Sequence, residues 1–370
     1  MDRIALPPRP RILVVALRRL GDVLLTTPLL RSIRKAWPDA HISALVFADT
    51  AAILEGNPDL DDVILMPQPA GFARSLALAA SLWRRFDLAV STQAGDRPTF
   101  FTMVAGRRRV GPVQARLSGR IVRLFFDRAL QAGGNRHRVD ENLQLADLLG
   151  IPTVAQMVAP VTELSPALVR DKAYAVIHAA PFFRYKQWHR DGWRDIARHL
   201  ASRGLELIAT GGPSIEERTY LDEIWSGCEV SLRRLDGQLS WPQLASVLAA
   251  ARVYVGPDTS VTHLAAAAGC PTVALYGPTD PRIWGPWPQA GLDRPWERAG
   301  TIQQRGNVWL VQNPLPCMPC QLEGCLRRLD SYSQCLDELP ADRVIAALNQ
   351  ALAWRDEGAG EGGAMQQRPL

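Results

Sequence analysis

Residues 253–281 read VYVGPDTSVTHLAAAAGCPTVALYGPTDP, and this stretch decides the fold. Its apolar runs predict strands at 253–255 and 272–276, with a helix over 259–268 that stops at Gly269. Strand, helix and strand in this order are typical of a parallel α/β sheet, which binds its ligands at the carboxyl ends of the strands. The loop after the first strand is therefore the first place to look for a site.

That loop has the chemistry of a phosphate site. Thr259 and Ser260 offer hydroxyl groups beside the backbone N–H groups at the positive end of the helix dipole. Asp258 precedes them, and His263 follows about one turn into the helix. A second interpretation is that Asp258 only caps the helix and that His263 is only a packed helix residue.

Strands and helices alternate on both sides of a proline-containing linker at 150–166, which predicts two Rossmann-like domains that face each other across a cleft. In the first domain, residues 11–17 predict a strand and 22–37 one helix. Residues 285–336 predict mostly irregular structure. The expected divisions are a domain at 1–155, a domain at 156–340 with a cysteine-containing insertion at 313–336, a helix at 341–355 and a disordered tail at 356–370.

The composition is that of a globular protein, with 370 residues, 47% hydrophobic and 21% charged. No apolar run approaches the roughly 18 residues of a membrane helix. The apolar run at 12–17 is short and is followed by Arg18 and Arg19, so we expect a cytoplasmic protein. The net charge of +5 suits an anionic substrate or membrane surface, and by itself also nucleic acid.

Arginines crowd residues 107–138, where Asp127 is the single acid. The run is either a solvated surface or a patch for an anionic acceptor and the anionic inner leaflet of a membrane. The candidate contacts are Arg18, Arg19, Arg107, Arg109, Arg116 and Arg120.

Two other clusters have the residue types of metal sites. Four of the six cysteines are Cys317, Cys320, Cys325 and Cys335, which indicate either reduced thiols or a structural zinc site. Asp59 and Asp61 form a DxD sequence in a short connection beside Asp62, and we expect no metal there.

Two charged residues follow strands in positions that suit group transfer. Asp22 follows the first strand of the first domain, and Lys186 follows the first strand of the second. A carboxylate can act as general base on a hydroxyl group, and an ammonium group can stabilise a departing diphosphate. The alternative, purely structural interpretations are that Asp22 is a helix cap and that Lys186 is an exposed loop charge.

Three segments carry a resemblance to a known family. They are LRRLGDVLLTTPLLRSIRKAWPDA at 17–40, FFRYKQW at 182–188 and GPDTSVTHLAAAAGCPTVALYGPTDP at 256–281. Together they resemble family 9 glycosyltransferases, the ADP-heptose:lipopolysaccharide heptosyltransferases. The segments DTAAILEGNP at 49–58 and IWGPW at 283–287 are most similar to the core heptosyltransferase III group.

The resemblance implies a GT-B fold and an inverting, metal-independent transfer of heptose from ADP-heptose to the inner core of lipopolysaccharide, with no cofactor. By the same resemblance Asp22 is the general base, and Lys186 contacts the donor diphosphate. It also implies that the donor-binding residues are Asp258, Thr259, Ser260, His263 and, after a glycine-rich turn, Glu216. Ser260 stands where the family commonly has glycine.

Alternatives remain at this point. Within the same class, the chain transfers another sugar or uses a protein acceptor. A nicotinamide oxidoreductase is a different class, but RRLGD follows the first strand where a dinucleotide-binding GxGxxG would stand. A nucleic-acid-binding module would use the arginines and cysteines and leave the phosphate loop without a role, so we expect no nucleic acid.

Overall fold

The computed structural model describes residues 1–67, 71–115, 117–163 and 172–362. The chain divides into two compact units, Met1–Val161 and Thr162–Leu370, a few residues after the expected boundary at 155. Arg116 and residues 363–370 of the expected tail lie outside the described residues.

The described residues of unit 1 form six strands and six α-helices, with one 3₁₀ helix at Ala48–Leu54. The strands are β1 Arg11–Val15, β2 His41–Phe47, β3 Asp62–Met66, β4 Phe86–Ser91, β5 Gly106–Val113 and β6 Arg128–Gln131. The helices are α1 Leu20–Leu24, α2 Thr27–Ala36, α3 Phe72–Leu82, α4 Asp96–Ala105, α5 Leu117–Arg123 and α6 Arg138–Leu149.

These strands form one parallel sheet in the order β3-β2-β1-β4-β5-β6. Strand β1 pairs with β2 on one side and with β4 on the other, so Ile12 lies opposite both Ile42 and Leu88. This is the Rossmann strand order, which reverses direction between β1 and β4. The crevice at that switch point is the expected ligand position of unit 1.

The helix expected over 22–37 is two helices, α1 and α2, and the single-helix prediction is wrong. Pro28 has no N–H to donate to Leu24, whose carbonyl oxygen instead accepts a hydrogen bond from the Thr27 hydroxyl at 2.9 Å. The Thr26 hydroxyl likewise donates to the Val23 carbonyl oxygen at 2.6 Å. The two side chains replace the backbone bonds and end the first helix.

In the part of unit 2 that the structure describes there are seven strands and seven α-helices, with a 3₁₀ turn at Arg184–Lys186. The strands are β7 Tyr174–His178, β8 Glu206–Thr210, β9 Arg233–Arg234, β10 Val253–Pro257, β11 Thr272–Leu275, β12 Ile302–Arg305 and β13 Val308–Val311. The helices are α7 Arg190–Ser202, α8 Ile215–Trp225, α9 Trp241–Ala250, α10 Ser260–Ala267, α11 Pro281–Trp284, α12 Gln334–Asp337 and α13 Ala341–Gly362.

The sheet of unit 2 has the order β12-β13-β11-β10-β7-β8-β9. All neighbours are parallel except β12 and β13, which form an antiparallel hairpin at one edge. Strands β7 and β10 lie side by side, with Val253 opposite Ala175, and the chain order reverses between them. The second switch point therefore lies between the ends of β7 and β10.

Residues 285–336 are mostly irregular, as expected, but they also contain the β12–β13 hairpin. Strand β13 is fully buried and pairs with β11, while the polar residues of β12 hide the hairpin in the sequence. The arginine run continues the Rossmann alternation as β5, α5 and β6. The expected end of the last helix at 355 is wrong. The last helix extends to Gly362, because glycine and acidic residues weaken a helix without removing backbone donors.

In the part of the chain that the structure describes, no helix combines the length and the apolar character needed to cross a bilayer.

Candidate functional site

A buried ion pair lies at the switch point of unit 2. Lys186 comes from the loop after β7, and Asp258 follows β10 directly. The Lys186 ammonium nitrogen lies 2.6 Å from Asp258 Oδ2 and 3.2 Å from the Asp258 carbonyl oxygen. Because β7 and β10 are neighbours, the sheet itself brings these residues together across 72 positions of sequence. Lys186 is thus a positioned charge and not an exposed loop residue, since only 21% of its side chain is exposed.

Asp258 is held as a carboxylate. Its side chain is 8% exposed, and its Oδ2 also accepts a hydrogen bond of 2.6 Å from the Thr279 hydroxyl. Burial alone would raise the pKa of Asp258, but the Lys186 ammonium group and the hydrogen bonds from Lys186 and Thr279 outweigh it and lower that pKa. The helix-cap interpretation of Asp258 is wrong, because Thr259 is the N-cap of α10.

The amino end of α10 completes this polar group. The Thr259 side chain accepts a hydrogen bond from the Thr262 N–H at 3.4 Å, and Ser260 is the first helical residue. Both are half-buried, so their hydroxyl groups remain accessible at the positive end of the helix. The lysine, the two hydroxyls and the helix end together form a cradle for an anion.

His263 lies behind this cradle on α10. It is 7% exposed, and within the described residues its Nδ1 has no hydrogen-bond partner. Burial lowers the pKa of His263 to about 4, against the opposing effect of the Asp258 carboxylate. The imidazole is therefore neutral near pH 7 and offers a hydrogen bond instead of a charge.

The glycine-rich turn after β8 places a different glutamate from the one expected. Glu216 is exposed, whereas the next residue, Glu217, folds back onto the turn. A Cβ atom added to Gly212 would lie 1.8 Å from Glu217 Oε2, so the carboxyl group rests directly against the turn. Burial and the nearby Asp236 raise the pKa of Glu217. The sequence shows two adjacent glutamates after the turn. Their spacing alone does not tell which of the two side chains lies against it.

Asp22 lies in unit 1, just after β1 at that unit's switch point. Arg19 is the N-cap of α1 and Asp22 is its third residue, so the cap interpretation of Asp22 is wrong. Its side chain is 13% exposed and lies 3.4 Å from the Arg18 guanidinium group. Burial raises the pKa of Asp22, and the charges of Arg18, Arg138 and Arg19 limit that rise. Sequence reasoning missed Arg138, which only the fold brings near.

The candidate arginines do not share one environment. Arg18 and Arg19 flank Asp22, whereas Arg107 and Arg109 lie on β5, where their Nε atoms donate to the carbonyl oxygens of Arg84 and Gly106. Arg120 is exposed on α5. The tethered pair on β5 therefore has a structural role within the sheet of unit 1.

The four clustered cysteines differ in burial. Cys317 and Cys325 are exposed, Cys320 is half-buried and Cys335 is buried. Burial raises the pKa of Cys335 to about 12. Across the described ranges, no group of three or more His, Cys, Asp or Glu side chains is arranged to hold a metal ion. The four cysteines form no disulfide, and the choice between reduced thiols and a structural zinc site stays a prediction.

The two DxD carboxylates serve the fold. Asp59 accepts a hydrogen bond of 2.9 Å from Arg31, and Asp61 accepts one of 2.8 Å from the Ile42 N–H. Asp59 therefore ties the loop before β3 to α2, and Asp61 ties the same loop to β2.

The cysteine segment supports the donor-side loops, which the sequence did not indicate. The Ser333 hydroxyl donates to the Tyr185 carbonyl oxygen at 2.6 Å, next to Lys186. A Cβ atom on Gly277 would lie 2.8 Å from Leu336, so the segment also packs closely against the loop that carries Thr279. It thereby braces both sides of the Lys186–Asp258 pair.

Comparison with known proteins gives consistent matches. The sequence model described as glycosyltransferase family 9 (heptosyltransferase) matches residues 75–292. Lipopolysaccharide heptosyltransferase 3 of Escherichia coli K12 is 27% identical, over 91% of this chain and 96% of that protein. Lipopolysaccharide heptosyltransferase 1 of Pseudomonas aeruginosa is 28% identical, over 85% of this chain and 87% of that protein.

Solved structures agree on the fold. The E. coli ADP-heptose heptosyltransferase II superposes with a TM-score of 0.70 at 19% identity, covering 94% of this chain and 99% of that one. E. coli heptosyltransferase WaaC with ADP gives a TM-score of 0.69 at 22% identity, covering 92% of this chain and 99% of that one. These neighbours have the GT-B fold, and the predicted α/β, GT-B class is confirmed.

Proposed function

The chain belongs to glycosyltransferase family 9, and we propose that it transfers heptose from ADP-heptose to the inner core of a lipopolysaccharide precursor. The observation that carries the proposal is the Lys186–Asp258 pair beside the amino end of α10. This is a fixed positive site at a switch point, where a sugar-nucleotide diphosphate would bind. The similarity to heptosyltransferases and the WaaC structure with ADP support an ADP-sugar as the donor.

The proposed reaction is a single displacement with inversion. Asp22 accepts the proton of an acceptor hydroxyl as the oxygen attacks the anomeric carbon of heptose. The bond between that carbon and the diphosphate oxygen breaks, and ADP leaves with the bonding electrons. Attack from the side opposite the leaving group inverts the anomeric configuration.

Lys186 and the amino end of α10 would stabilise the charge that develops on the departing ADP. Two acceptor atoms of Asp258 hold the ammonium group at 2.6 and 3.2 Å, which leaves a third N–H for a phosphate oxygen. Because the chain supplies this positive charge itself, we propose that transfer needs no catalytic metal. Thr259, Ser260 and His263 would complete the donor contacts, and Glu217, not Glu216, would contact the nucleoside.

The acceptor side of the proposal belongs to unit 1. Arg18 and Arg19 flank Asp22 and would contact anionic groups of the inner core. Such an acceptor is carried by a lipid, so we place the reaction at the cytoplasmic face of the inner membrane, with peripheral contact to the anionic leaflet. The similarity to lipopolysaccharide heptosyltransferase 3 supports an acceptor of the kind used by the heptosyltransferase III group.

Calorimetric titration of the protein tests the donor, with ADP-heptose, UDP-glucose and NAD compared in the presence of a strong chelator. We expect selective micromolar binding of ADP-heptose that Lys186→Ala weakens at least about tenfold, the loss expected for a charge-assisted contact. Preference for UDP-glucose would be consistent with a glycosyltransferase but would contradict heptose as the transferred sugar. Binding of NAD alone would favour an oxidoreductase, and binding that requires added metal would refute the metal-free mechanism.

A further inference from the structure

Three large apolar side chains lie exposed on one short segment of unit 1. They are Ile121, Leu124 and Phe125, with exposed fractions of 56%, 83% and 50%. We call these three residues the apolar ridge. They fall within five positions at the end of α5 and the start of the following turn. Clustered apolar exposure of this kind marks an interaction surface more often than scattered residues do.

The outward direction of the ridge is fixed by its neighbour. Phe126 is 8% exposed, and its ring edge lies 3.0 Å from where a Cβ atom of Gly111 would be, so the ring packs directly on β5. The N–H groups of Leu124 and Phe125 donate to the carbonyl oxygens of Ile121 and Val122 at 3.1 and 3.0 Å. The inward ring and the tight turn leave the ridge facing solvent.

The arginines of β5 hold this turn in place. The Arg109 guanidinium group donates to the Phe125 carbonyl oxygen at 3.2 Å. The Asp127 carboxylate accepts from the Arg109 N–H at 2.9 Å and pairs with Arg108 at 3.0 Å. Part of the basic run thus fastens the ridge to the sheet and does not itself face a partner.

Two other arginines flank the ridge and remain available. Arg120 and Arg123 are exposed on α5, and among the residues that the structure describes neither guanidinium group has an ion-pair or hydrogen-bond partner. Apolar side chains between unpaired basic ones are the composition of a segment that lies in a membrane interface. The positive charges attract anionic headgroups while the apolar groups enter the acyl boundary.

We propose that the apolar ridge, with Arg120 and Arg123, is the element by which this protein docks on an anionic lipid bilayer. The inference rests on the proposed function, because a lipid-carried acceptor requires the enzyme to work at such a surface. It goes further by assigning the contact to a specific insertion element. A protein partner or a second copy of the chain would also bury the ridge, but the flanking unpaired arginines favour an anionic surface.

Vesicle flotation of the full chain tests the docking element. Vesicles of phosphatidylcholine alone are compared with vesicles that contain about one third phosphatidylglycerol. We expect the wild type to bind the anionic vesicles and the Leu124→Glu, Phe125→Glu double variant to bind them at least about tenfold more weakly. Arg120→Gln, Arg123→Gln should lose about fivefold per arginine on anionic vesicles, since each basic side chain contributes separately.

Matched controls separate the ridge from general surface effects. Leu326→Glu alters an apolar side chain of unit 2 that is 58% exposed, and Arg298→Gln removes an exposed arginine of the same unit; both should bind like the wild type. The Leu124→Glu, Phe125→Glu variant should transfer heptose to a delipidated acceptor at the wild-type rate. That readout distinguishes a failed docking element from a failed proposed function.

The proposal is overturned if the ridge variants bind anionic vesicles as the wild type does, or if the wild type binds neither vesicle. It is also overturned if Leu124→Glu, Phe125→Glu converts a dimer into monomers while vesicle binding is unchanged, because the ridge would then be a self-association surface.

Discussion

Asp22 illustrates how the environment of one residue adjusts its chemistry. A general base must lose its proton before the reaction and accept one during it, so an elevated pKa strengthens the base while keeping it ionised near neutrality. Burial supplies that elevation, and the guanidinium groups of Arg18, Arg138 and Arg19 keep it moderate. In the proposed role, Asp22 is thus a stronger base than an exposed aspartate.

The first prediction concerns the acid limb of the pH–rate profile. Turnover requires ionised Asp22, so kcat/KM should rise with pH through a value above the ordinary aspartate pKa. Arg18→Gln removes the largest charge that lowers this pKa, and the acid limb should therefore move to higher pH. Arg298→Gln, an exposed arginine of unit 2, is the charge-matched control. A limb that stays in place or moves to lower pH contradicts the assignment.

The Lys186–Asp258 pair leads to a prediction about stability. Lys186→Ala leaves a buried carboxylate without its cation, which for a fully buried pair costs about 3–5 kcal/mol of unfolding free energy. Lys186 keeps 21% exposure, so we expect a smaller loss of about 1–3 kcal/mol. Adding Asp258→Asn removes the orphaned charge and should restore most of that loss.

Urea unfolding followed by tryptophan fluorescence measures this effect. All of the 11 tryptophans except Trp37 and Trp83 lie in unit 2, so the signal reports mainly on the unit that holds the pair. Arg198→Ala, which breaks the exposed pair with Asp195, should change stability by less than about 0.5 kcal/mol. A double variant less stable than Lys186→Ala would show that the pair is not electrostatically coupled.

At the scale of elements, the sequence predicts strands and helices best where residues that end or cap them are present. Strands β1, β10 and β11 and helix α10 are apolar runs bounded by glycine, proline or capping residues, and their predicted positions are confirmed. The break between α1 and α2 was missed because two threonine hydroxyls replace backbone bonds without any glycine. The β12–β13 hairpin was missed because IQQR has no apolar alternation.

The candidate site shows the same limit. Its polar loops were predictable because parallel strands end at one edge of a sheet. The contact between Lys186 and Asp258, the Thr279 hydrogen bond and the choice between Glu216 and Glu217 were not, since each depends on side-chain direction across distant positions. Local spacing does not encode such contacts.

The start of α8 supports a prediction about nucleoside recognition. Glu217 lies against the glycine turn after β8, and a carboxylate can accept hydrogen bonds from both ribose hydroxyls. Glu217→Ala should weaken ADP binding about tenfold, the loss expected for a hydrogen bond to a charged group. The adjacent, exposed Glu216→Ala should change it less than about twofold.

Calorimetry with ADP and with pyrophosphate checks that prediction. Glu217→Ala should leave pyrophosphate affinity unchanged, because the affected contact is to the nucleoside. Equal losses for both ligands would indicate a structural role for Glu217, and a loss seen only in Glu216→Ala would return the assignment to that residue.

At the scale of the whole molecule, the proposed chemistry is divided between two sheets that share the order of their first five strands and differ beyond them. Unit 1 carries the proposed base, Asp22, at the switch point between β1 and β4. Unit 2 carries the proposed donor residues at the switch point between β7 and β10. Because the base and the donor residues lie in different units, loss of the base should stop turnover without weakening the binding of the donor.

The most direct test of this account is the effect of Asp22→Asn on heptose transfer from ADP-heptose to an inner-core acceptor, measured with donor affinity in the same preparation. We predict that kcat falls about 10²- to 10⁴-fold, the usual contribution of a general base, while the Kd for ADP-heptose stays within about twofold. Asp39→Asn, an exposed aspartate of the same unit, should behave like the wild type. Wild-type turnover by Asp22→Asn would contradict the account, and so would an equal loss of donor affinity.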